Sequence, residues 1–467
     1  MFVILKIGID KMNDDCDELY ISFLFPPSDY VSGITVFKRI AQNNKRVDVL
    51  QANFESPNCR ELNKYVDDYI NRRIIVDMDC KVDWANCIFK FIDRGLKAID
   101  KEYERIYSRS WLMANHFLAC EYKFKHPDVF WCAEFSDPVM YDLNNNVKYY
   151  RQMQIDDEEY IGELNNRIKN FNTNNGLSLP SIENDSSAYF IAEYIVYLFA
   201  DKVIFTNENQ REIMLSQFPV DIRELVMEKS EIKMHPTLGE EFYNLKSVDL
   251  NMDDNDVNLA YFGNDYYGKR HFESLFYAFE SLNHKFKDKV KIHMFINDDK
   301  LLKRVIPSDN FIIHKPMDYL EFLSATRQFD VLIVNDAVTR ENFRLNPYLP
   351  SKLSDYLGSG KDVWALYENG SSLSKFDLSY KSDIEDYDSC SRELIKILKD
   401  HGYDDEQCSI DRRYINSRFT ELNELHEREY RRILRLEKEI KKLKKENKEM
   451  KSSRSWKITS PLRKLNR

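Results

Sequence analysis

Paired cysteines are missing from this chain. Its eight cysteines (Cys16, Cys59, Cys80, Cys87, Cys120, Cys132, Cys390, Cys408) are scattered singly and none forms a CxxC pair. That argues against a structural zinc site. Glycine and proline are scarce, 12 and 13 among 467 residues, which excludes collagen-like, linker-rich and low-complexity designs. No uncharged apolar run approaches the roughly 18 residues of a membrane span. The best candidate, YFIAEYIVYLFADKVIF, carries Glu193, Asp201 and Lys202 and reads as a buried helix followed by a strand. The start MFVILKIGIDK has an apolar run but no basic segment or cleavage site before it, so no signal peptide is read. A cytosolic chain with reduced thiols is expected.

A general excess of positive charge is missing too. The net charge is −10, and it is uneven. From Glu421 to Arg467 there are 16 Lys and Arg against 8 Asp and Glu, a balance of +8 that leaves −18 for the rest. An acidic body with a basic end is not the pattern of a general nucleic-acid binder; it suggests that the end meets something anionic.

What is present is a 43% hydrophobic fraction with 13% aromatics, enough for a sizeable core, on a chain long enough for two domains. Apolar strand-like runs alternate with amphipathic ones. In the first half ELYISFLF (18–25), VDVLQA, RRIIVD (72–77) and VFWCAEFSDP (129–138) read as four strands, and ADKVIFTNENQREIML (200–215) as a strand then a helix. Residues about 142–186 read as a polar surface insertion carrying a helix or two. A second series starts near 250: NLAYFG, VKIHMFIN (290–297), NFIIHK (310–315) and FDVLIVND (329–336) are strands, LPSKLSDYLGSG a helix and DVWALYE the strand after it. Alternation of this kind predicts parallel sheets, hence two Rossmann-like domains facing a cleft, with ligands at the carboxyl ends of the strands. The boundaries read as 1–247 and 248–402, then a helical segment 403–451 and a basic tail 452–467.

The last two segments carry their own readings. Phe419, Leu422, His426, Ile433, Leu436, Ile440, Leu443, Asn447 and Met450 fall on alternating steps of three and four, with Glu429 breaking the pattern, an a/d seam with a polar a position. It suits either a weak homodimer or a solvated helix packed on its own body. KSSRSWKITSPLRKLNR has six basic residues, no acid, and Trp456, Ile458, Leu462 and Leu465 interleaved. It suits an anionic membrane surface, the inner face of the cell membrane, or else a plain basic tail.

Chemistry-bearing residues cluster in two places. In FGNDYYGKRH, Gly263 and Gly268 allow close backbone approach, and Lys269 and Arg270 can neutralise a diphosphate beside a helix N-terminus. In NPYLPSKLSDYLGSGKDVWALYENGSS, Lys352 and Asp355 share one helical face: the cation suits phosphate, the carboxylate suits ribose hydroxyls. Gly358 and Gly360 end that helix. Glu368, Gly370 and Ser371 follow the next strand, where backbone N–H groups can cradle an anion.

LPSKLSDYLGSGKDVWAL, placed after FDVLIVND, resembles the nucleotide-sugar site of GT-B glycosyltransferases of the family 4-like group, whose pattern is P-x-K-x-x-(E/D)-Y-(L)-x-x-G-K. Other segments agree in the expected order, among them the Pro/Gly loop at 26–33, SRSWLMANHFLACEYKFKHPDVFWCAEFSDP, FADKVIFTNENQ and MHPTLGEEFY. The tail is similar to the ends of many bacterial polysaccharide glycosyltransferases. The resemblance implies a GT-B fold and transfer of a sugar from a nucleotide diphosphate sugar to a hydroxyl of a growing cell-surface polysaccharide or lipid-linked glycan. It implies no metal and no cofactor beyond the donor. Lys269 or Arg270 with Lys352 would stabilise the leaving diphosphate, Asp355 would hold the ribose, and Gly33 would approach the diphosphate. His116 and Asp137 would line the acceptor side, with His116 contacting the sugar or activating the acceptor. One departure stands out: retaining members carry a second acid eight positions before the first, and here that position is Pro347. A non-catalytic GT-B-like subunit that supports a partner enzyme, or a different GT-B chemistry such as sugar epimerisation, fits the same residues.

Overall fold

The computed structural model describes residues 16–43, 45–54, 60–79, 84–148, 150–263, 269–296 and 309–403, with five isolated helical positions beyond them. The expected a/d seam, apart from Leu443, and the whole basic tail lie outside the described residues.

Runs buried on both faces set the architecture. VDVLQA, VNLAYF and VLIVN are buried at every position, the pattern of a strand covered by helices on both sides. The first lobe holds β1 (Glu18–Ile21), β2 (Val47–Ala52), β3 (Ile70–Val76), β4 (Arg105–Ser110), β5 (Phe130–Phe135), β6 (Lys202–Phe205) and β7 (Ser230–Ile232). They form one sheet in the order β3-β2-β1-β4-β5-β6-β7. The second lobe holds β8 (Val257–Phe262), β9 (Val290–Phe295), β10 (Phe311–His314), β11 (Val331–Asn335), β12 (Asp362–Tyr367) and β13 (Tyr380–Asp383), in the order β10-β9-β8-β11-β12-β13. Every pairing is parallel. The order reverses between β1 and β4 and again between β8 and β11, and such reversals open a crevice at the carboxyl ends of the strands.

Three differences from the sequence reading matter here. Arg105–Ser110 is a strand, so the stretch expected as the fourth strand is the fifth. The helix after β1 begins at Val31, so Gly33 lies in its first turn; a Cβ there would strike the Leu24 carbonyl. The thiols are not all reduced: Cys87 is disulfide-bonded, while Cys16, Cys120, Cys132 and Cys390 are free. The insertion contributes the helix Glu158–Asn175, capped by Asp157 and closed by Gly176 in the left-handed region.

One apolar cluster fills the far side of the first sheet and another the far side of the second. A third runs across the seam: Phe37, Val49 and Tyr107 of the first lobe pack in the same cluster as Phe242 and Tyr243 of the connecting segment and Phe262, Leu353 and Tyr356 of the second. No helix among the described residues is long and apolar enough to cross a membrane.

Candidate nucleotide-sugar site

The helix Lys352–Ser359 starts after Pro350 and ends at Gly360, whose φ of 72° is the left-handed turn that stops it. It points Lys352 and Asp355 at the first lobe. Opposite lies the helix Val31–Asn43, which follows β1 and carries Lys38. The Lys38 ammonium lies 2.5 Å from Asp355 Oδ1, with only 4% and 6% of the two side chains exposed. It also donates to Ser354 Oγ at 3.2 Å. The Tyr319 hydroxyl donates to the same Asp355 oxygen at 2.8 Å. A buried carboxylate with two donors is satisfied.

Lys352 is different. No carboxylate among the described residues lies within ion-pair distance of it. Its ammonium sits 3.6 Å above the centre of the Phe322 ring, a cation–π contact. Burial first, then the charges of Lys38 and Arg270, lower its pKa to about 8 against the opposing pull of Asp355. Two further cations therefore stand near it.

These groups border a cavity of about 270 Å³ between the lobes. Asp29, Thr35 and Lys38 line it from the first lobe; Pro316, Tyr319, Phe322, Lys352 and Asp355 line it from the second. Asp318 also borders it, but its carboxylate accepts from the Glu321 N–H and caps the helix Tyr319–Thr326. A larger hollow of about 540 Å³ lies at Tyr277 and the acids Asp383, Glu385, Asp386 and Asp388. A wall of carboxylates repels phosphate, so the smaller, mixed cavity is the better candidate.

Of the residues singled out in the sequence, Lys352 and Asp355 come together at this cavity. Arg270 is near enough to act on Lys352; its Nη1 donates to Tyr261 Oη at 3.0 Å. Lys269 accepts the Val338 N–H at its carbonyl, 2.7 Å away, which ties its loop to the segment after β11. Gly263 directly follows β8, and Gly268 lies outside the described residues. Gly33 presses the helix Val31–Asn43 against the β1 loop rather than standing open.

Glu368, Gly370 and Ser371 do other work. Glu368 is 2% exposed, and its carboxylate accepts from the Thr339 and Arg340 N–H groups, Thr339 Oγ1 and Asn346 Nδ2. The Ser371 N–H donates to the Glu368 carbonyl. The Gly370 carbonyl accepts from Asn209 of the first lobe at 3.0 Å. The expected anion cradle is thus a joint between lobes, where Asn207 and Asn209 also grip the carbonyls of Pro347 and Asn346.

His116 is a core residue, which corrects the expectation that it meets an acceptor. It has no exposed surface, Ser108 Oγ lies 2.8 Å from its Nδ1, and Phe135 and Trp131 pack on its ring. Burial, then the Arg109 charge, lower its pKa to about 3, so it stays neutral. Asp137, half-buried after β5, has its pKa raised by burial against the pull of Arg109 and Lys148.

Sequence reading missed the floor of this lobe. Glu134 on β5 has no exposed surface and is held by Arg39 Nε at 2.9 Å, Arg109 Nε at 3.0 Å and Tyr107 Oη at 2.8 Å. Burial alone would raise its pKa; the two guanidinium groups outweigh that and hold it at about 2. Lys38 was missed as well. Its helix pattern, ITVFKRIAQN, looks like an ordinary amphipathic surface, and only the second lobe makes it a site residue.

Among the described residues no group of three or more His, Cys, Asp or Glu side chains is placed to hold a metal ion. No family model and no curated protein matches the chain. Solved structures do. An E. coli trehalose-6-phosphate structure bound with UDP-2-fluoro glucose matches at TM-score 0.50 and 10% identity over 87% of this chain and 94% of that one. The fold is GT-B. Two more distant likenesses are Anabaena HepE in complex with UDP-glucose (TM-score 0.46, 10% identity, 86% and 98% covered) and the Neisseria meningitidis UDP-GlcNAc 2-epimerase bound to UDP-GlcNAc (0.45, 10%, 87% and 98%). At such identities the GT-B fold alone is shared, and the site has to be argued from its own residues.

Proposed function

We propose that this GT-B chain is a glycosyltransferase that takes a sugar from a nucleotide diphosphate sugar and passes it to a hydroxyl of a cell-surface polysaccharide or lipid-linked glycan. The observation that carries the reading is the meeting of Lys38, Lys352 and Asp355 at one interlobe cavity on the carboxyl side of both sheets, with Arg270 close enough to act on Lys352. Among the described residues no carboxylate lies within ion-pair distance of Lys352, and the lysine is costly to hold charged when buried. A diphosphate would relieve that cost, and Arg270 with Lys269 would help stabilise the charge that develops as the diphosphate leaves. Asp355 would take the ribose hydroxyls. The deep burial of His116 leaves Asp137 as the acceptor-side group of the original pair; with its pKa raised, it suits a base that takes the acceptor proton.

A thermal-shift and hydrolysis screen with UDP-, GDP- and dTDP-sugars tests this reading. Binding of one donor should raise the melting temperature by mass action, and Lys352→Ala should remove both the shift and the turnover. A folded protein that binds no nucleotide sugar would sink the proposal. Binding without release of nucleotide, with acceptor glycans present, would favour a non-catalytic subunit, and a free epimerised sugar nucleotide would favour an epimerase.

A further inference from the structure

Next to the cavity two aromatic side chains stand in the open with no place in the donor chemistry. Tyr30 and Trp111 are each 48% exposed. Their rings lie 5.3 Å apart, centre to centre, tilted by 30°. Tyr30 lies between Asp29 and Val31, both of which line the cavity. Trp111 directly follows β4, and β4 pairs with β1 at the point where the strand order reverses. The pair therefore stands at the mouth of the cleft on its first-lobe side.

The backbone beneath them is fixed. Arg109, two residues before Trp111, donates from Nη1 to Ser32 Oγ at 3.0 Å, two residues after Tyr30. Its Nε is bound to Glu134, and its carbonyl accepts from Asn115 Nδ2 at 2.8 Å. Arg109, held by its buried ion pair with Glu134, thus ties together the two segments that present the rings through its hydrogen bond to Ser32. An exposed Trp and Tyr held in this way keep apolar surface in water that a partner would cover, at low cost in side-chain ordering.

We infer that Tyr30 and Trp111 form a stacking platform for a pyranose ring of the acceptor. The apolar C–H face of a sugar matches two adjacent rings, while its rim hydroxyls need a polar neighbour, which Asp29, next to Tyr30 and lining the cavity, supplies. A membrane surface fits less well, because the pair is a small patch on the cleft side and no exposed Lys or Arg among the described residues adjoins it in sequence. The inference rests on the acceptor being a glycan, as proposed above, and concerns side chains outside the proposed donor site.

Binding of the full chain to cellohexaose, maltohexaose, laminarihexaose and chitohexaose tests it, by isothermal titration or saturation-transfer NMR. At least one should bind, and Trp111→Ala with Tyr30→Ala should weaken it by about tenfold or more, the size expected when a stacked aromatic is lost. Trp111→Tyr should restore much of the affinity. The thermal shift with UDP-sugars should be unchanged in both variants, which also shows that they fold. No binding of any hexaose by the unaltered chain, or equal binding by the double variant, overturns the platform. Loss of binding to phosphatidylcholine vesicles in the double variant, without any hexaose binding, overturns it in favour of a lipid surface. Failure of the UDP-sugar shift in the unaltered chain would instead strike the donor reading and leave the platform standing.

Discussion

Lys352 carries the sharpest residue-scale consequence. Its pKa is lowered to about 8, so it loses its charge as the pH rises through that value. On the proposed function, nucleoside diphosphate binding would need the charged form. Affinity for UDP or GDP should therefore be steady below pH 8 and fall by about tenfold per pH unit well above it, as titration calorimetry across pH 6.5–10 would show. Lys352→Arg should keep its charge and move that fall to higher pH or abolish it. A pH-flat affinity in the unaltered chain would remove this lysine from ligand binding. At this scale the sequence alone places Lys352 and Asp355 together, because both sit on one short helix with an evident stop at Gly360. It was a poor guide to Lys38, 317 positions before Asp355, since a long-range pair leaves no local periodicity. It misled for Glu368, whose polar surroundings look like a ligand loop but serve to hold the backbone of 339 and 340.

At the scale of elements, β4 is the instructive case. RIYSRS has two arginines and two serines, which local propensity does not favour in a central strand. Yet Ser108, Arg109 and Ser110 are all buried. Glu134 on the neighbouring strand pairs with Arg109, Asn115 holds the Arg109 carbonyl, and His116 meets Ser108. The strand is legible only once its partners are in place. Through Arg39, Tyr107 and Arg109, Glu134 binds the helix Val31–Asn43 and β4 to β5. Glu134→Gln should cost about 3–5 kcal/mol, because it leaves two buried guanidinium groups without their counter-charge. Its carboxyl is held at about 2, below the ordinary 4.5. The stabilisation is therefore complete above pH 4.5 and is lost as the pH falls through 2. Urea denaturation should show the deficit at pH 7 and a shrinking difference between variant and parent below pH 4. A constant difference across that range would count against this assignment.

At the scale of the molecule, the two lobes are not separate bodies. They share an apolar cluster that includes Phe37, Tyr243 and Tyr356, and they are bridged by Lys38–Asp355 and by the Asn207 and Asn209 joint. The domain division was legible from the alternation of strands and helices; the extent of the seam was not, since apolar residues that face another lobe look the same in sequence as those that face their own. Domains joined by a large apolar interface are expected to unfold together. Scanning calorimetry of the ligand-free chain should give one main transition, and Lys38→Met should lower it without splitting it. Two well-separated transitions would show that the seam contributes little.

The cavity beside Asp355 holds only about 270 Å³, below the usual range of roughly 300–1,000 Å³ for small-molecule sites. The oxygen a ribose would use is already taken by Lys38 from across the cleft. On the proposed function, entry and departure of a nucleotide would be paced by how often that bridge lets go, and Lys38 would act as a clock on residence time. A ligand seated behind it would arrive slowly and leave slowly for the same reason.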